Sequence, residues 1–201
     1  MAVKTYHVDV TFTEHMLGTV TKNKDVYADY IASKAPEGTK TDDEIETVQE
    51  MEEKGWTGFH MDEKGNPLIY DYTWKGFFKE SASFMKRVGD TRSAKLTAFK
   101  KIIDGLVFVG PRRIPLIIPE GETMGVLERP LRAQTAQGER VALARSDTVP
   151  PGTKCSFEVR VLGDTVTEDI LREWLDYGAL HGFGQWRNGG WGVFSYTLTA
   201  K

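Results

Sequence analysis

Two stretches of the chain alternate apolar and polar side chains with a period of two, the pattern of a half-buried β-strand. The first begins at Tyr6 and the second at Cys155. Their apolar positions are Tyr6, Val8, Val10 and Phe12 in the first stretch and Cys155, Phe157, Val159 and Val161 in the second. The cysteine belongs to the apolar set, which predicts a small core residue. We therefore expect two strands that each bury one face.

Two other stretches repeat apolar residues at the spacing of an α-helix. The first helix is predicted to begin at Trp74, directly after a strand over residues 67–72. The second follows Thr165 or Thr167, either of which supplies a capping hydroxyl. The expected buried positions are Phe77, Phe78, Ser81, Ala82, Phe84 and Met85 in the first helix and Ile170, Leu171, Trp174, Leu175 and Gly178 in the second.

Shorter segments complete the order of elements. Residues 55–60 and 67–72 predict a hairpin, 93–103 a helical piece, 106–109 a short strand that 114–118 continue, and 193–199 a closing strand. Without insertions the order is βαββαβ, the ferredoxin-like plan of an α+β fold, with one antiparallel four-stranded sheet and two backing helices. We predict a single domain over residues 1–201. It carries an acidic helical and hairpin insertion over 16–66 and a basic arm over 119–150.

The charges of the chain are segregated, although the formal net charge is only −3. Residues 37–54 contain eight acidic side chains and predict an exposed helix over 41–54. Residues 111–145 contain arginines but no lysine. These arginines are Arg112, Arg113, Arg129, Arg132, Arg140 and Arg145. A nearly neutral protein with such segregation can carry a basic groove on one face.

The composition argues against several classes of protein. A single cysteine excludes an internal disulfide and a thiolate metal cluster, and it suits the cytoplasm. No apolar run is long enough to predict a membrane span, and the N-terminus does not resemble a signal peptide. The sequence contains no zinc-hydrolase, phosphate-loop or serine-hydrolase motif, so we expect no metal and no cofactor.

A glycine-rich loop joins the last predicted helix to the closing strand. Two triplets, Gly182-Phe183-Gly184 and Gly190-Trp191-Gly192, flank residues 185–189. The glycines of the loop are Gly182, Gly184, Gly189, Gly190 and Gly192. Glycine lets another backbone or a phosphate approach closely. At the tip, Trp186, Arg187 and Asn188 offer a polyanion a stacking face, a fork of donors and an amide. The alternative is a simple turn whose tryptophans belong to the core.

Three segments resemble the RAMP (repeat-associated mysterious protein) superfamily, the RNA-binding proteins of CRISPR systems. Residues 182–192 are similar to that family's glycine-rich loop, which has two small-hydrophobic-small triplets between the last helix and the last strand. Residues 150–157 resemble the strand entry gt-x-F. Residues 70–79 resemble the S-x-x-K-G-x-x-R turn into the first helix, with Thr73 and Lys79 replacing the serine and the arginine.

The resemblance implies a non-catalytic protein that binds single-stranded nucleic acid, with RNA favoured over DNA. It also implies assembly along the strand, as a homo-oligomer or within a CRISPR-type complex. Residues 124–149 would be the arm that reaches over the bound strand. Arginine suits this role because its planar guanidinium pairs with phosphate and stacks on bases. The expected binding residues are Lys75, Lys79, Arg112, Arg113, Arg129, Arg132, Arg140, Arg145, Trp186, Arg187 and Asn188.

Two other functions stay open at this point. Some RAMP proteins cleave CRISPR RNA without a metal by means of a histidine, and His181 beside the glycine-rich loop is the candidate here. Its alternatives are His7, His15 and His60. A phage or prophage relative that mimics or blocks a CRISPR subunit would instead use the acidic residues 37–54 to bind a basic partner. The sequence itself does not choose RNA over DNA.

Overall fold

The computed structural model describes residues 2–23, 55–135 and 138–201. Its strands are β1 (Val3–Phe12), β2 (Met16–Leu17), β3 (Val20–Thr21), β4 (Trp56–Gly58), β5 (His60–Met61), β6 (Pro67–Tyr70), β7 (Val107–Gly110), β8 (Arg113–Pro115), β9 (Gly125–Thr135), β10 (Gly138–Val149), β11 (Lys154–Leu162) and β12 (Phe194–Ala200). Its helices are α1 (Asp71–Met85), α2 (Phe99–Leu106) and α3 (Glu168–His181), with 3-10 turns at Ser93–Lys95 and Arg187–Gly189. The helix predicted over 41–54 lies outside the described residues.

The sheet that packs on the helices contains four antiparallel strands in the order β12–β1–β11–β7. Val8 of β1 lies opposite Phe157 of β11 and Leu198 of β12. Along the chain, α1 and α2 precede β7, and α3 precedes β12. The molecule is therefore an α+β protein in which β1 and β11 form the centre of the sheet.

The alternating patterns of β1 and β11 are confirmed. All eight predicted apolar positions of the two strands are buried, with at most 5% of any of them exposed. Polar side chains such as Asp9, Ser156 and Thr197 occupy the opposite face. One face of the sheet thus packs on the helices and the other meets solvent.

Trp74 of α1 lies fully buried at the centre of the core. Its ring stacks on Phe157 of β11, with 4.4 Å between ring centroids, and on Phe183 of the glycine-rich loop, with 4.2 Å. Phe77 and Phe194 meet it edge-on. Burial of each such side chain is worth about 1.5–3 kcal/mol. This aromatic cluster therefore ties the loop to the helix and to the sheet.

Helix α3 begins and packs as its sequence predicts. Thr167 caps it, and its Oγ1 accepts a hydrogen bond from the backbone N–H of Ile170 at 3.4 Å. The predicted stripe from Ile170 to Gly178 is buried. A Cβ on Gly178 would collide with the ring of Phe77, so this glycine permits the close approach of α1 and α3.

Strands β9 and β10 form a long antiparallel ribbon, which confirms the ribbon predicted for this segment. The base of β10 also pairs with β2 and runs parallel to β4, which in turn pairs with β3. A buried ion pair between Lys22 and Asp147, with 2.6 Å between Nζ and Oδ2, lies at this junction. Trp56 donates its indole N–H to the same carboxylate at 2.8 Å. These contacts fix the ribbon to the body of the protein.

The predicted boundary between strand and first helix is wrong by three residues. Strand β6 ends at Tyr70, and α1 begins at Asp71 instead of Trp74. The Asp71 carboxylate accepts hydrogen bonds from the backbone N–H of Tyr72 at 2.8 Å and from Arg112 at 2.7 Å. An acidic side chain in the first turn also complements the helix dipole, which favours the earlier start.

Two other predictions of continuous elements are wrong. Residues 55–60 do not form one strand, because β4 joins the ribbon and only β5 pairs with β6 in a hairpin. Strand β8 completes that small sheet, so residues 114–118 reach the four-stranded sheet only through a bridge between Ile117 and Lys154.

The predicted helical piece over 93–103 is also interrupted. It divides into a 3-10 turn and α2, because Ala98 adopts a left-handed conformation with φ of 53°. Within the part of the chain that is described, no helix has the length and apolar character needed to cross a bilayer.

Candidate nucleic-acid interface

Main-chain hydrogen bonds hold the glycine-rich loop against the first part of the chain. Gly192 donates to the carbonyl of His15 at 2.9 Å and Gln185 to that of Leu17 at 3.3 Å. Gly182, Gly184 and Gly192 all have positive φ, and a Cβ on any of them would collide with a backbone oxygen of Trp191, Leu17 or Phe183. These three glycines therefore allow other segments of the protein backbone to approach the loop closely. Gly189 lies against the Trp191 ring, whereas Gly190 faces open space at the tip of the loop.

The tip of the loop meets the ribbon through an arginine and a tryptophan. The guanidinium of Arg129 on β9 stacks on the ring of Trp186, whose side chain remains 37% exposed. Nε and Nη1 of Arg129 are buried and have no hydrogen-bond partner among the described residues. Burial lowers the pKa of this guanidinium to about 10, so it stays charged at neutral pH. Trp186 itself adopts a left-handed conformation with φ of 57°.

A carboxylate links the loop to α1. Arg187 forms an ion pair with Glu80, and the imidazole Nε2 of His181 lies 4.0 Å from the same carboxylate. Burial and the charge of Arg187 lower the pKa of His181, against an opposing effect of Glu80. Together with Trp186 and Asn188, these three side chains line a cavity of about 630 Å³.

A second cavity, of about 490 Å³, continues from this pair along α1. Helix residues Tyr72, Thr73, Gly76 and Glu80 form one wall. The opposite wall comes from the segments that contain β2, β3 and β4, and the lining is mainly apolar. Glu80 and Arg187 line both cavities, so the two cavities adjoin at this ion pair, and we call them together the α1 groove.

The base of the ribbon meets the loop beside this groove. The hydroxyls of Thr57 on β4 and Ser146 on β10 both donate to Oε1 of Gln185, at 3.2 and 3.1 Å. Next to them, Arg145 forms an ion pair with Glu128 at 2.6 Å, and its guanidinium lies over the Trp56 ring. Arg145 therefore lies close to the loop, with its charge offset by a carboxylate.

Two predicted binding residues lie on another side of α1. Lys75 donates to the backbone carbonyl of Asp104 at 2.9 Å, and Lys79 pairs with the Asp104 carboxylate at 2.5 Å. The ammonium of Lys75 also lies over the Phe108 ring. Neither lysine lines the groove, because both point toward α2 and β7.

The adjacent arginines lie at the N-terminal end of α1. Arg112 pairs with Asp71 at 2.7 Å, and its guanidinium lies over the parallel, stacked rings of Tyr70 and Tyr72. Arg113 is exposed on β8. Burial, followed by the charges of these two arginines, lowers the pKa of the neighbouring His60 to about 3. His60 is therefore a neutral core residue that packs edge-on against Tyr70.

The remaining predicted arginines are in the ribbon. Arg132 lies opposite Val141, and Arg140 lies opposite Ala133. The side chains of both arginines lie outside the described part of the structure, so their roles stay predictions.

The open face of the four-stranded sheet carries none of the predicted binding residues. Its centre is a polar network in which Asp9 accepts hydrogen bonds from Ser156 at 2.5 Å and Thr197 at 3.4 Å, and contacts His7 at 3.1 Å. His7 is thereby engaged in a local contact. Among the described residues, no group of three His, Cys, Asp or Glu side chains is arranged to hold a metal.

Sequence reasoning did not identify the residues of the groove on α1. The sequence assigns binding on this helix to Lys75 and Lys79, and it places Tyr72 in the preceding strand. The groove residues that face Glu80 and Tyr72 come from distant parts of the chain. Gly76 carried a usable signal, because a glycine inside a helix is unfavourable unless packing or a ligand requires it.

No protein-family model matches the sequence, and no curated protein is similar to it. Among solved structures, a chain of the "Cryo-EM structure of the Type III-B Cmr-beta bound to cognate target RNA" has a TM-score of 0.55 and 11% identity. The alignment covers 98% of this chain and 60% of that one, so the present chain spans less than two thirds of its length. A chain of a "Type IV-B CRISPR Complex" has a TM-score of 0.46 and 13% identity over 97% of this chain and 90% of that one. The first likeness shows a shared fold.

Proposed function

We propose that this chain is a RAMP-like protein with a ferredoxin-like fold that binds single-stranded RNA beside its glycine-rich loop. The observation that carries the proposal is the contact of the Arg129 guanidinium with the ring of Trp186, a residue that lines the α1 groove. Two buried nitrogens of that arginine have no partner in the described part of the chain. A phosphate or base edge is a ligand that would satisfy them.

The fold supports this assignment. The sheet order β12–β1–β11–β7, with helices between its strands along the chain, supports the ferredoxin-like plan that we propose for this α+β protein. The similar chain comes from a Cmr-beta structure described as bound to target RNA, and RNA is therefore the ligand we propose here. We also propose that the chain assembles within a complex of CRISPR type.

The chemistry of the site favours an unpaired strand. Unstacked bases can lie on aromatic rings and on guanidinium planes, whereas a duplex hides those surfaces. Trp186 offers an exposed ring, and Arg129 and Arg187 supply charge on either side of it. On its two central strands the polar open face of the sheet carries no Phe, Tyr or Trp, and the ring of His7 there contacts Asp9.

Binding of unstructured RNA and DNA to the full chain at several salt concentrations tests the proposal. Phosphate contacts release counterions, so we expect the logarithm of the affinity to fall with that of salt by about 0.7 for each phosphate contacted. RNA should bind more tightly than DNA of the same sequence. Absence of binding, or affinity that does not change with salt, would contradict the proposal.

A metal-independent endoribonuclease is the second candidate. It is favoured by the position of His181, which lines the same cavity as Trp186 and lies 4.0 Å from Glu80. Its lowered pKa keeps the imidazole neutral at pH 7, as a general base requires. The His181→Ala variant should then lose all RNA cleavage while it retains RNA binding. Cleavage by the variant at the rate of the parent chain, or no cleavage by either, removes this candidate.

A further inference from the structure

Gly76 occupies the middle of α1, where the fold itself gives no reason for a glycine. The helix runs from Asp71 to Met85 without a break. A Cβ on Gly76 would meet no heavy atom within 4 Å, and its φ is not in the left-handed region. Glycine inside a helix is less favourable than every residue except proline. Open space beside a helical glycine does not by itself assign a role, because Gly105 of α2 has it too; Gly76 differs in that it lies in the wall of a cavity.

The surroundings of Gly76 show what its missing side chain leaves open. It lies in the wall of the 490 Å³ cavity, between Thr73 and Glu80 on the same face of α1. Phe59 and Val20 line the cavity on the facing side. A larger side chain at Gly76 would project into this space. The glycine therefore keeps the middle of the α1 groove open down to the helix backbone.

The lining of the groove includes an aromatic ring toward each end, and an arginine contacts each of these rings. At one end, Trp186 lies between Arg129 and the Arg187–Glu80 pair. At the other end, Tyr72 is 37% exposed, and its ring is held by the stacked ring of Tyr70 and the guanidinium of Arg112. A ring fixed in this way loses little conformational entropy when a base stacks on it.

The length of the groove sets the size of its ligand. On α1 its lining extends from Tyr72 to Phe84, which is about 18 Å of helix. At a stacked rise of about 3.4 Å for each nucleotide, this length accommodates no more than about five nucleotides. The apolar lining of the groove suits the bases and sugars of an RNA strand. The arginines near its ends suit the phosphates.

We infer that the α1 groove is the path of a short single-stranded segment, in which Gly76 is the point of closest approach and Tyr72 is a second stacking platform. This inference rests on the proposed function and deepens it, because it extends the binding site from the loop tip along the whole face of α1. It also assigns roles to Tyr72 and Gly76, which the loop tip alone does not require.

Substitution of Gly76 by leucine tests this path without harm to the fold. Leucine favours helix formation and meets open space, so the Gly76→Leu variant should unfold at the same temperature as the parent chain or higher. RNA affinity should fall about tenfold or more, the loss of roughly one stacked base. Gly105→Leu is the matched control. Gly105 is also a helical glycine at which a Cβ would meet no heavy atom within 4 Å, and it lies on α2 outside the groove.

A second test measures the binding of RNAs of different lengths to variants of Tyr72. Tyr72→Ala should weaken binding of RNAs longer than about five nucleotides, whereas Tyr72→Phe should retain it, because only the ring is needed. Affinity should stop rising once the RNA fills the groove. If the parent chain binds RNA and Arg129→Ala weakens binding, but Gly76→Leu and Tyr72→Ala bind like the parent, then this inference is wrong and the proposed function stands. If the parent chain binds no RNA, both are wrong.

Discussion

At the scale of single residues, the contact between Arg129 and Trp186 is the centre of the proposed interface. The guanidinium lies over the indole ring, and a guanidinium can stack on a flat ring and pair with a phosphate. The contact also removes water from Arg129, which explains the lowered pKa of its guanidinium. The arginine is therefore oriented before a ligand arrives, and binding costs less entropy.

We expect the Arg129→Ala variant to bind single-stranded RNA about 10- to 150-fold more weakly, because it loses one charge-assisted contact worth about 1.5–3 kcal/mol. Arg129→Lys should not restore the affinity, since an ammonium cannot stack or form a bidentate pair. Fluorescence anisotropy with labelled RNA measures the change. Arg160→Ala is the matched control, because Arg160 is an exposed arginine on the open face of the sheet. Equal losses in both variants would indicate general charge and contradict a specific site.

His60 should make stability depend on pH. Its pKa is about 3 in the folded chain and about 6.5 when unfolded, so between these values the unfolded chain binds the additional proton. The contribution of His60 to the free energy of unfolding is therefore fully present above pH 6.5 and is lost as the pH falls toward 3. From pH 7 to pH 5 the loss should be about 2 kcal/mol.

Urea unfolding of the parent chain and of His60→Phe at both pH values isolates this contribution. The phenyl ring keeps the edge-on packing against Tyr70 and cannot titrate. We expect the difference in stability between the two pH values to be smaller in the variant by about 2 kcal/mol. An equal pH dependence in the two proteins would show that His60 is not held neutral by burial.

At the scale of secondary-structure elements, the glycine-rich loop connects separate parts of the fold through its backbone and side-chain contacts. Its three crowded glycines let the loop backbone lie directly on the segment from His15 to Leu17. The ring of Phe183 then enters the aromatic cluster around Trp74. The loop thereby places Trp186 beside the ribbon and Arg187 beside α1, so it contacts the segment 15–17, the ribbon and α1.

Substitution of two glycines of this loop distinguishes the cost of backbone strain from the cost of a steric collision. In Gly192→Ala the new Cβ meets the carbonyl oxygen of Phe183, whereas in Gly190→Ala it meets open space, and both residues have positive φ. We expect Gly190→Ala to cost about 1 kcal/mol and Gly192→Ala to cost at least twice as much. Thermal unfolding measures both. Equal losses would mean that the close approach of the two backbones does not matter for stability.

The elements differ in how well their sequences predict them. Strands β1 and β11 and helix α3 are predicted down to individual buried positions, because each has one buried face and a period that only one structure satisfies. The start of α1 is not, because Tyr70, Tyr72 and Trp74 alternate with Asp71 and Thr73, which suits a strand as well as the first turn of a helix. The hydrogen bonds of the Asp71 carboxylate favour the helix, and one of them comes from Arg112, far along the chain.

The contacts of the proposed interface are even harder to predict from the sequence than the start of α1. The sequence identifies Trp186, Arg187 and the arginine-rich ribbon as types of residue that suit a polyanion. It does not reveal that Arg129 reaches Trp186 or that Glu80 pairs with Arg187, because such contacts depend on how distant elements pack. It likewise does not reveal that Asp104 engages Lys75 and Lys79 on another side of α1.

At the scale of the whole molecule, the proposed binding residues lie away from the open face of the sheet. The four-stranded sheet uses one face for the core and presents a polar, internally hydrogen-bonded face to solvent. The loop tip and α1 instead line the α1 groove, and Arg129 of the ribbon contacts Trp186 in that lining. Charge segregation in the sequence therefore becomes a local arrangement of arginines and aromatic rings, although the net charge is slightly negative.

Ultraviolet crosslinking of the full chain to unstructured RNA, followed by identification of the modified peptides, tests the central claim most directly. We expect crosslinks at the loop tip, on Trp186, and along α1, on Tyr72, because aromatic rings in contact with bases react most readily. Crosslinks confined to the open face of the sheet, on β1, β11 and β12, would contradict the account.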